Sequence, residues 1–170
     1  MKIPYKYFID NIASKPSKEE LSEKFFHLGH EHEVNKDMFE MELTPNRGDC
    51  ISLLGLLREL KFFYDVKIKK DIYEDDIKTF PFEFLNNAKE YCKNISFLKV
   101  EIESPPLKYN ETLESYFNNL QLNKNNFFTD ISNFISYETG QPTHCYDSSK
   151  IKGPIKLDFL DKKVSFNTLL

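Results

Sequence analysis

The sequence predicts an α+β fold in which a small winged-helix-like module is followed by part of a second α+β domain. Three observations lead there. Apolar residues recur at helical spacing in five stretches, short apolar or alternating runs bounded by Gly, Pro and Asn lie among them, and 170 residues suffice for two small modules. Hydrophobic residues make up 40% of the chain and aromatic residues 15%, enough apolar surface for genuine cores.

The elements follow in order. Tyr5, Phe8, Ile9 and Ile12 are spaced for a short amphipathic helix over 3–12, with Pro4 in its first turn. Ser17 and Glu20 form a capping-box pattern opening a second helix, whose inner face is Leu21, Phe25 and Leu28 and whose stop is Gly29. Residues 38–43 are apolar enough for a strand. Thr44-Pro45-Asn46-Arg47-Gly48 ends it, because a residue before proline is driven to extended geometry and Asn and Gly favour turns. Asp49 is expected to cap the next helix, 50–64, along which Leu53, Leu54, Leu57, Leu60 and Phe63 recur at three- and four-residue steps. These helices and a short strand pair make the first module, 1–71.

The acidic stretch 72–88, which contains Pro81, has the composition of a linker. The second module, 89–170, opens on Ile95, Phe97, Leu98, Val100 and Ile102, which predict a strand over 94–102. Pro105-Pro106 breaks it. Leu113, Tyr116, Phe117 and Leu120 then predict a helix over 107–122, and Phe127, Phe128, Ile131, Phe134 and Ile135 another over 125–139, stopped by Gly140. After Gly153-Pro154 the positions Ile155, Leu157, Phe159, Val164 and Phe166 alternate as in strands. Asn167-Thr168-Leu169-Leu170 brings no polar tail, so the polypeptide is expected to stop within a sheet, and strand edges over 155–170 favour association.

Charge and cysteine content narrow the class. The formal net charge is −4, so any RNA contact requires a local basic patch, and Lys67, Lys69 and Lys70 are better explained as a solvated strand end. Cys50, Cys92 and Cys145 are odd in number and widely spaced, which speaks against a disulfide framework or a cysteine zinc site and for a reducing cytoplasm. The first residues lack the roughly 7–15-residue apolar core of a signal peptide, and no run approaches the ~20 residues of a membrane span. His27, His30 and His32, with Glu31 or Glu33, lack a standard metal-ligand spacing and are expected at the surface, with no metal site. Cys145 beside His144 suggests a nucleophile, but neighbours in extended chain point to opposite faces. Arg47-Gly48-Asp49 also matches an extracellular adhesion tripeptide, and here it is taken as a turn in which Arg47 pairs with a carboxylate.

Two stretches carry a family likeness. The first is Glu40-Met41-Glu42-Leu43-Thr44-Pro45-Asn46-Arg47-Gly48-Asp49-Cys50-Ile51-Ser52-Leu53-Leu54-Gly55, followed by Leu57-Arg58-Glu59-Leu60. The second is Thr129-Asp130-Ile131-Ser132-Asn133-Phe134, continuing to Glu138-Thr139-Gly140-Gln141-Pro142-Thr143-His144-Cys145-Tyr146-Asp147. In the same order they resemble signatures of the bacterial-type phenylalanyl-tRNA synthetase beta subunit, the first near its start and the second in its editing domain. The opening residues and Ser104-Pro105-Pro106 also match in order.

The resemblance implies a subunit that works with an alpha subunit on tRNA(Phe) and hydrolyses mischarged tyrosyl-tRNA. The alpha subunit carries the aminoacylation residues, so ATP and Mg2+ belong to the heteromeric enzyme and this chain is expected to hold no cofactor. Carried over position by position, Ser132 (Thr in most members), Asn133 and His144 line the family's editing pocket. His144 is then expected to orient the 3′-terminal adenosine or the attacking water, with Ser132 and Asn133 as hydrogen-bonding supports. Gln141 and Arg47 are binding candidates, Arg47 toward RNA or the partner subunit. Two departures matter. Most members insert a tRNA-binding OB-fold before the TPNRGDC stretch, where here Val34-Asn35-Lys36-Asp37 crosses directly. The family's editing domain also continues past the point matching Leu170, including an acidic residue that recognises the tyrosine hydroxyl. The chain alone is therefore expected to be inactive, and the alternatives are a non-catalytic module binding tRNA or the alpha subunit, or a free-standing factor editing in trans.

Overall fold

The first strand, β1 (Lys2–Pro4), runs straight into α1 (Tyr5–Asn11), and Pro4 is the extended residue that caps it rather than part of its first turn. This corrects the helix expected over 3–12: Lys2 to Pro4 pair with a later strand, which sequence periodicity cannot register. The computed structural model describes residues 1–68 and 79–165, and α1 belongs to the larger of two units, which spans Met1–Tyr73 and Ser104–Cys145. Helix α2 (Lys18–His27) starts as expected, with Ser17 accepting from the Glu20 amide and the Glu20 side chain accepting from the Ser17 amide. It ends in a complete Schellman motif: Gly29 has φ +80°, its amide donates to Phe26 O, and the His30 amide donates to Phe25 O.

Strands β2 (Glu31–Asn35) and β3 (Met38–Glu42) form a two-residue hairpin, and β1 pairs with the other edge of β3 in an antiparallel sheet of order β1-β3-β2. The 34–37 crossing is thus the hairpin turn, with Lys36 at φ +55°. The sheet carries Ile3, Phe39 and Met41 into a core shared with Phe8 of α1 and Leu21 and Phe25 of α2. Phe8, Phe25 and Phe39 meet edge to face with centroids 5.3, 5.6 and 5.7 Å apart. Such pairs contribute about 0.5–1.5 kcal/mol each beyond area burial.

A 3-10 turn at Gly48–Cys50 leads into α3 (Leu53–Leu60), shorter than the 50–64 expected. Its cap is Ser52, which accepts from the Gly55 amide, and not Asp49. Asp49 is one turn too early and its carboxylate is engaged by arginines. Leu53, Leu56, Leu57 and Leu60 are buried. Helices α4 (Glu111–Leu120) and α5 (Phe127–Thr139) complete this unit, so the helix pair packs with the N-terminal module, although the sequence suggests a boundary at 71. Asn110 caps α4 by accepting from the Leu113 amide, which sets its start later than the expected 107. Leu113, Tyr116, Phe117 and Phe134 form a second core cluster.

The smaller unit spans Glu74–Glu103 and Tyr146–Leu170. Its two strands, β4 (Phe84–Asn86) and β5 (Ile155–Leu157), pair in parallel. β4 falls in the stretch expected to be a linker, the rest of which lies partly outside the described residues. The expected strand over 94–102 does not form: Leu98 and Val100 are well exposed, and apolar side chains make no strand without a backbone partner. Val164 is likewise outside any strand, while Lys69, Lys70, Phe166 and the ending 167–170 fall outside the described residues. No described helix is long and apolar enough to cross a membrane.

Candidate functional site

Helix α5 and the extended segment after it hold most of the candidate residues. Asn126 accepts from the Thr129 amide and donates to Thr129 Oγ1, fixing the first turn. Gly140 ends the helix at φ +75°, and the chain then turns back along the helix flank. Three hydroxyls pin it there. Ser132 Oγ donates to the Thr143 carbonyl, Thr143 Oγ1 donates to Ser132 O at 2.8 Å, and the Thr143 amide donates to Ser136 Oγ at 3.1 Å.

Ser132 is buried, and its hydroxyl hydrogen is committed to Thr143. Its role is therefore to position the segment, through the residue immediately before His144. Asn133 and His144 follow directly after the two pinned residues and are both exposed, as is Gln141. His144 thus follows a pinned residue and has its side chain exposed. Cys145 is exposed with a free thiol.

Asp130 is a residue that sequence reasoning overlooks. Its side chain is fully buried, accepting from Tyr109 OH at 2.7 Å and from the Asn125 amide at 3.1 Å on both oxygens. It thereby ties the chain before α4 to the start of α5, and this bond pushes the Tyr109 phenol up to about 12. The signal was available: Asp130 stands three residues after Phe127 and four before Phe134, on the apolar stripe.

Arg47 sits at the other signature stretch. Its Nε and Nη2 donate to the two Asp49 oxygens at 3.0 and 3.1 Å, and Nη2 also donates to Glu59 Oε2 at 2.8 Å. Arg58 donates to Asp49 Oδ2 at 2.6 Å. Held chiefly by Arg47, the Asp49 carboxyl stays well below the usual carboxylate range, whereas burial pushes the Cys50 thiol up to about 11. The expected carboxylate pairing of Arg47 is present, and it occupies most of the guanidinium's donors. Of the three histidines expected at the surface, only His27 is exposed: His30 is buried, and His32 is half-buried against Phe26.

The two signature stretches meet. A Cβ on Gly140 would lie 3.1 Å from Ser52 Cβ, so the end of α5 rests against the cap of α3. A Cβ on Gly55 would lie 2.2 Å from the Asp49 carbonyl oxygen, which only glycine accommodates.

Comparison with known proteins places this arrangement. Residues 98–170 match the B3/4 domain family. The phenylalanine–tRNA ligase beta subunit of Fusobacterium nucleatum is 31% identical over 144 residues, 80% of this chain and 17% of that protein. This chain is related to the phenylalanine–tRNA ligase beta subunit. The beta subunit of Psychrobacter arcticus is 28% identical over 131 residues (72% of this chain, 16% of that protein), and that of Rickettsia felis 32% over 128 (73% and 15%). The chain thus spans less than a fifth of the length of these curated relatives. The B3/4 match takes in α4, α5 and β5, and with them Ser132, Asn133, Gln141 and His144. The Arg47 network lies before it.

Proposed function

We propose that this chain acts as part of a phenylalanine–tRNA ligase beta subunit, supporting phenylalanyl-tRNA synthesis with an alpha subunit and contributing one wall of a site that hydrolyses tyrosyl-tRNA. The observation that carries the reading is the 31% identity to a beta subunit over 80% of the chain. The chemistry requires such a site: a pocket shaped for Phe rejects an added hydroxyl by only ~100-fold, and a second, hydrolytic sieve supplies the remainder. Ester hydrolysis needs a placed water and donors for the tetrahedral oxyanion. His144 orients the water or the terminal adenosine, Asn133 supplies amide donors, and Ser132 with Thr143 holds the segment before His144 in place. Gln141 and Arg47 are secondary candidates for binding, Arg47 only through what remains of its donor capacity. ATP and Mg2+ belong to the heteromeric enzyme, which operates in the cytoplasm.

The test is deacylation of tyrosyl-tRNA(Phe) by a beta subunit that contains this chain, assembled with an alpha subunit. His144→Ala is expected to slow hydrolysis about 100-fold or more, in line with the loss of an acid–base group. An unchanged rate would remove His144 from the chemistry. Hydrolysis by neither protein, with tRNA binding retained, would leave a non-catalytic module.

A further inference from the structure

Apart from the α5 segment, three donor atoms converge beside the Arg47 network. A ring nitrogen of His30, Cys50 Sγ and a Glu59 carboxylate oxygen all lie within 4.8 Å of one another. They arrive from the residue after the Schellman glycine, from the end of the 3-10 turn and from α3. His30 is only 4% exposed, and its Nε2 is buried without a hydrogen-bond partner. A polar nitrogen in that position carries a desolvation penalty that no hydrogen-bond partner among the described residues offsets. Meanwhile Arg47 Nη2 lies 2.8 Å from both Cys50 Sγ and Glu59 Oε2, so a cationic group already fills the space between those two ligand atoms.

We propose that His30, Cys50 and Glu59 form a site for a divalent cation of borderline softness, Zn2+ above all, with Arg47 as the group that gives way. Imidazole, thiolate and carboxylate are the three ligand types zinc accepts, at roughly 2.0–2.3 Å, and tetrahedral geometry places such donors roughly 3.3–3.6 Å apart. Donors already within 4.8 Å need to draw in by little more than a side-chain adjustment. Mg2+ and Ca2+ want oxygen shells and do not suit a thiol and an imidazole. On binding, the Cys50 thiol releases its proton to solvent and the thiolate takes the metal, with no change in oxidation state. Arg47 gives up Cys50 and Glu59 while keeping its two bonds to Asp49, at 3.0 and 3.1 Å. Its side chain is 31% exposed, so it can turn toward water and open the approach, and water completes the fourth position.

The probe is Co2+ added to the metal-free 170-residue chain, with Zn2+ as competitor. A thiolate-to-cobalt charge-transfer band is expected in the wild type and in Cys92→Ser and Cys145→Ser, lost in Cys50→Ser, and bleached by stoichiometric Zn2+. His30→Leu fills the same apolar space and is expected to fold and to bind at least tenfold more weakly. Arg47→Gln removes the competing cation and is expected to bind at least tenfold more tightly, a gain that misfolding cannot imitate. A band that persists in Cys50→Ser, unchanged affinity in His30→Leu, no tightening in Arg47→Gln, or no band in the wild type would each overturn the site.

Discussion

Replacing Asp130 by alanine tests a fully buried polar group, the least exposed among the described residues. Its carboxylate serves two donors, Tyr109 OH and the Asn125 amide, and is fully buried. A hydrogen bond to a charged group contributes about 1.5–3 kcal/mol, so losing both costs about 3–6 kcal/mol and strands two donors. Against a total stability of roughly 5–15 kcal/mol, that is a large fraction. Urea unfolding followed by circular dichroism and by tyrosine emission suits the chain, which has 9 Tyr and no Trp. Tyr109→Phe should cost about 1.5–3 kcal/mol by the same reasoning, and the double variant little more than Asp130→Ala alone. The coupling energy is then about 1.5–3 kcal/mol, well above the ~0.5 kcal/mol within which independent sites add. A coupling within that margin, or an Asp130→Ala cost below about 1 kcal/mol, would refute the account of Asp130 as the tie between α4 and α5.

Four further outcomes follow from the same contacts. The Tyr109 phenol is raised to about 12, above an unfolded value of ~10, so its contribution is complete below pH ~10 and is lost as pH rises through about 12; the wild type should lose stability over that window more steeply than Tyr109→Phe. Gly29 and Gly140 have similar φ values of +80° and +75°, but only Gly140 has atoms within 4 Å of a new Cβ, so thermal unfolding should rank Gly140→Ala below Gly29→Ala by about 1 kcal/mol or more. Ser17→Ala removes half of a capping box and is expected to cost about 0.5–2 kcal/mol in chemical denaturation, whereas Ser17→Gly should cost only a few tenths. In the native chain a thiol reagent should modify exposed Cys145 promptly and buried Cys50 only as the protein opens, which peptide mapping of the labelled chain distinguishes.

How much was legible depended on where each element draws its stability. The capping box at Ser17, the Schellman glycine at Gly29 and the stop at Gly140 are local chemistry, and sequence reading finds all three. Strands β1 and β2 are not local: Lys2 to Pro4 and Glu31 to Asn35 are short or largely polar, and only pairing with β3 makes them strands. The reverse error occurs over 94–102, where apolar composition suggested a strand that lacks a backbone partner. The expected cap of α3, Asp49, gives way to Ser52: the pairing of Arg47 with a nearby carboxylate was legible, but the arrival of Arg58 at the same Asp49 carboxylate from nine residues on was not. Within the site, Ser132 and His144 were grouped by the family resemblance, and the helix with its stop at Gly140 was readable locally. That the contact runs through Thr143, leaving His144 itself exposed, was not, because it depends on the angle at which the chain leaves Gly140.

The contact between Gly140 and Ser52 also has a consequence in time. The larger unit is discontinuous along the chain, its second part beginning only at Ser104 and ending at Cys145. A ribosome emitting roughly 5–20 residues per second takes roughly 4–14 s to pass from residue 74 to residue 145. Throughout that interval the nascent N-terminal segment carries an α3 cap with no α5 to cover it, and the unit closes only after the intervening stretch has been made. Nascent-chain stability should therefore rise in a second, late step, once the residues through Cys145 have cleared the exit tunnel.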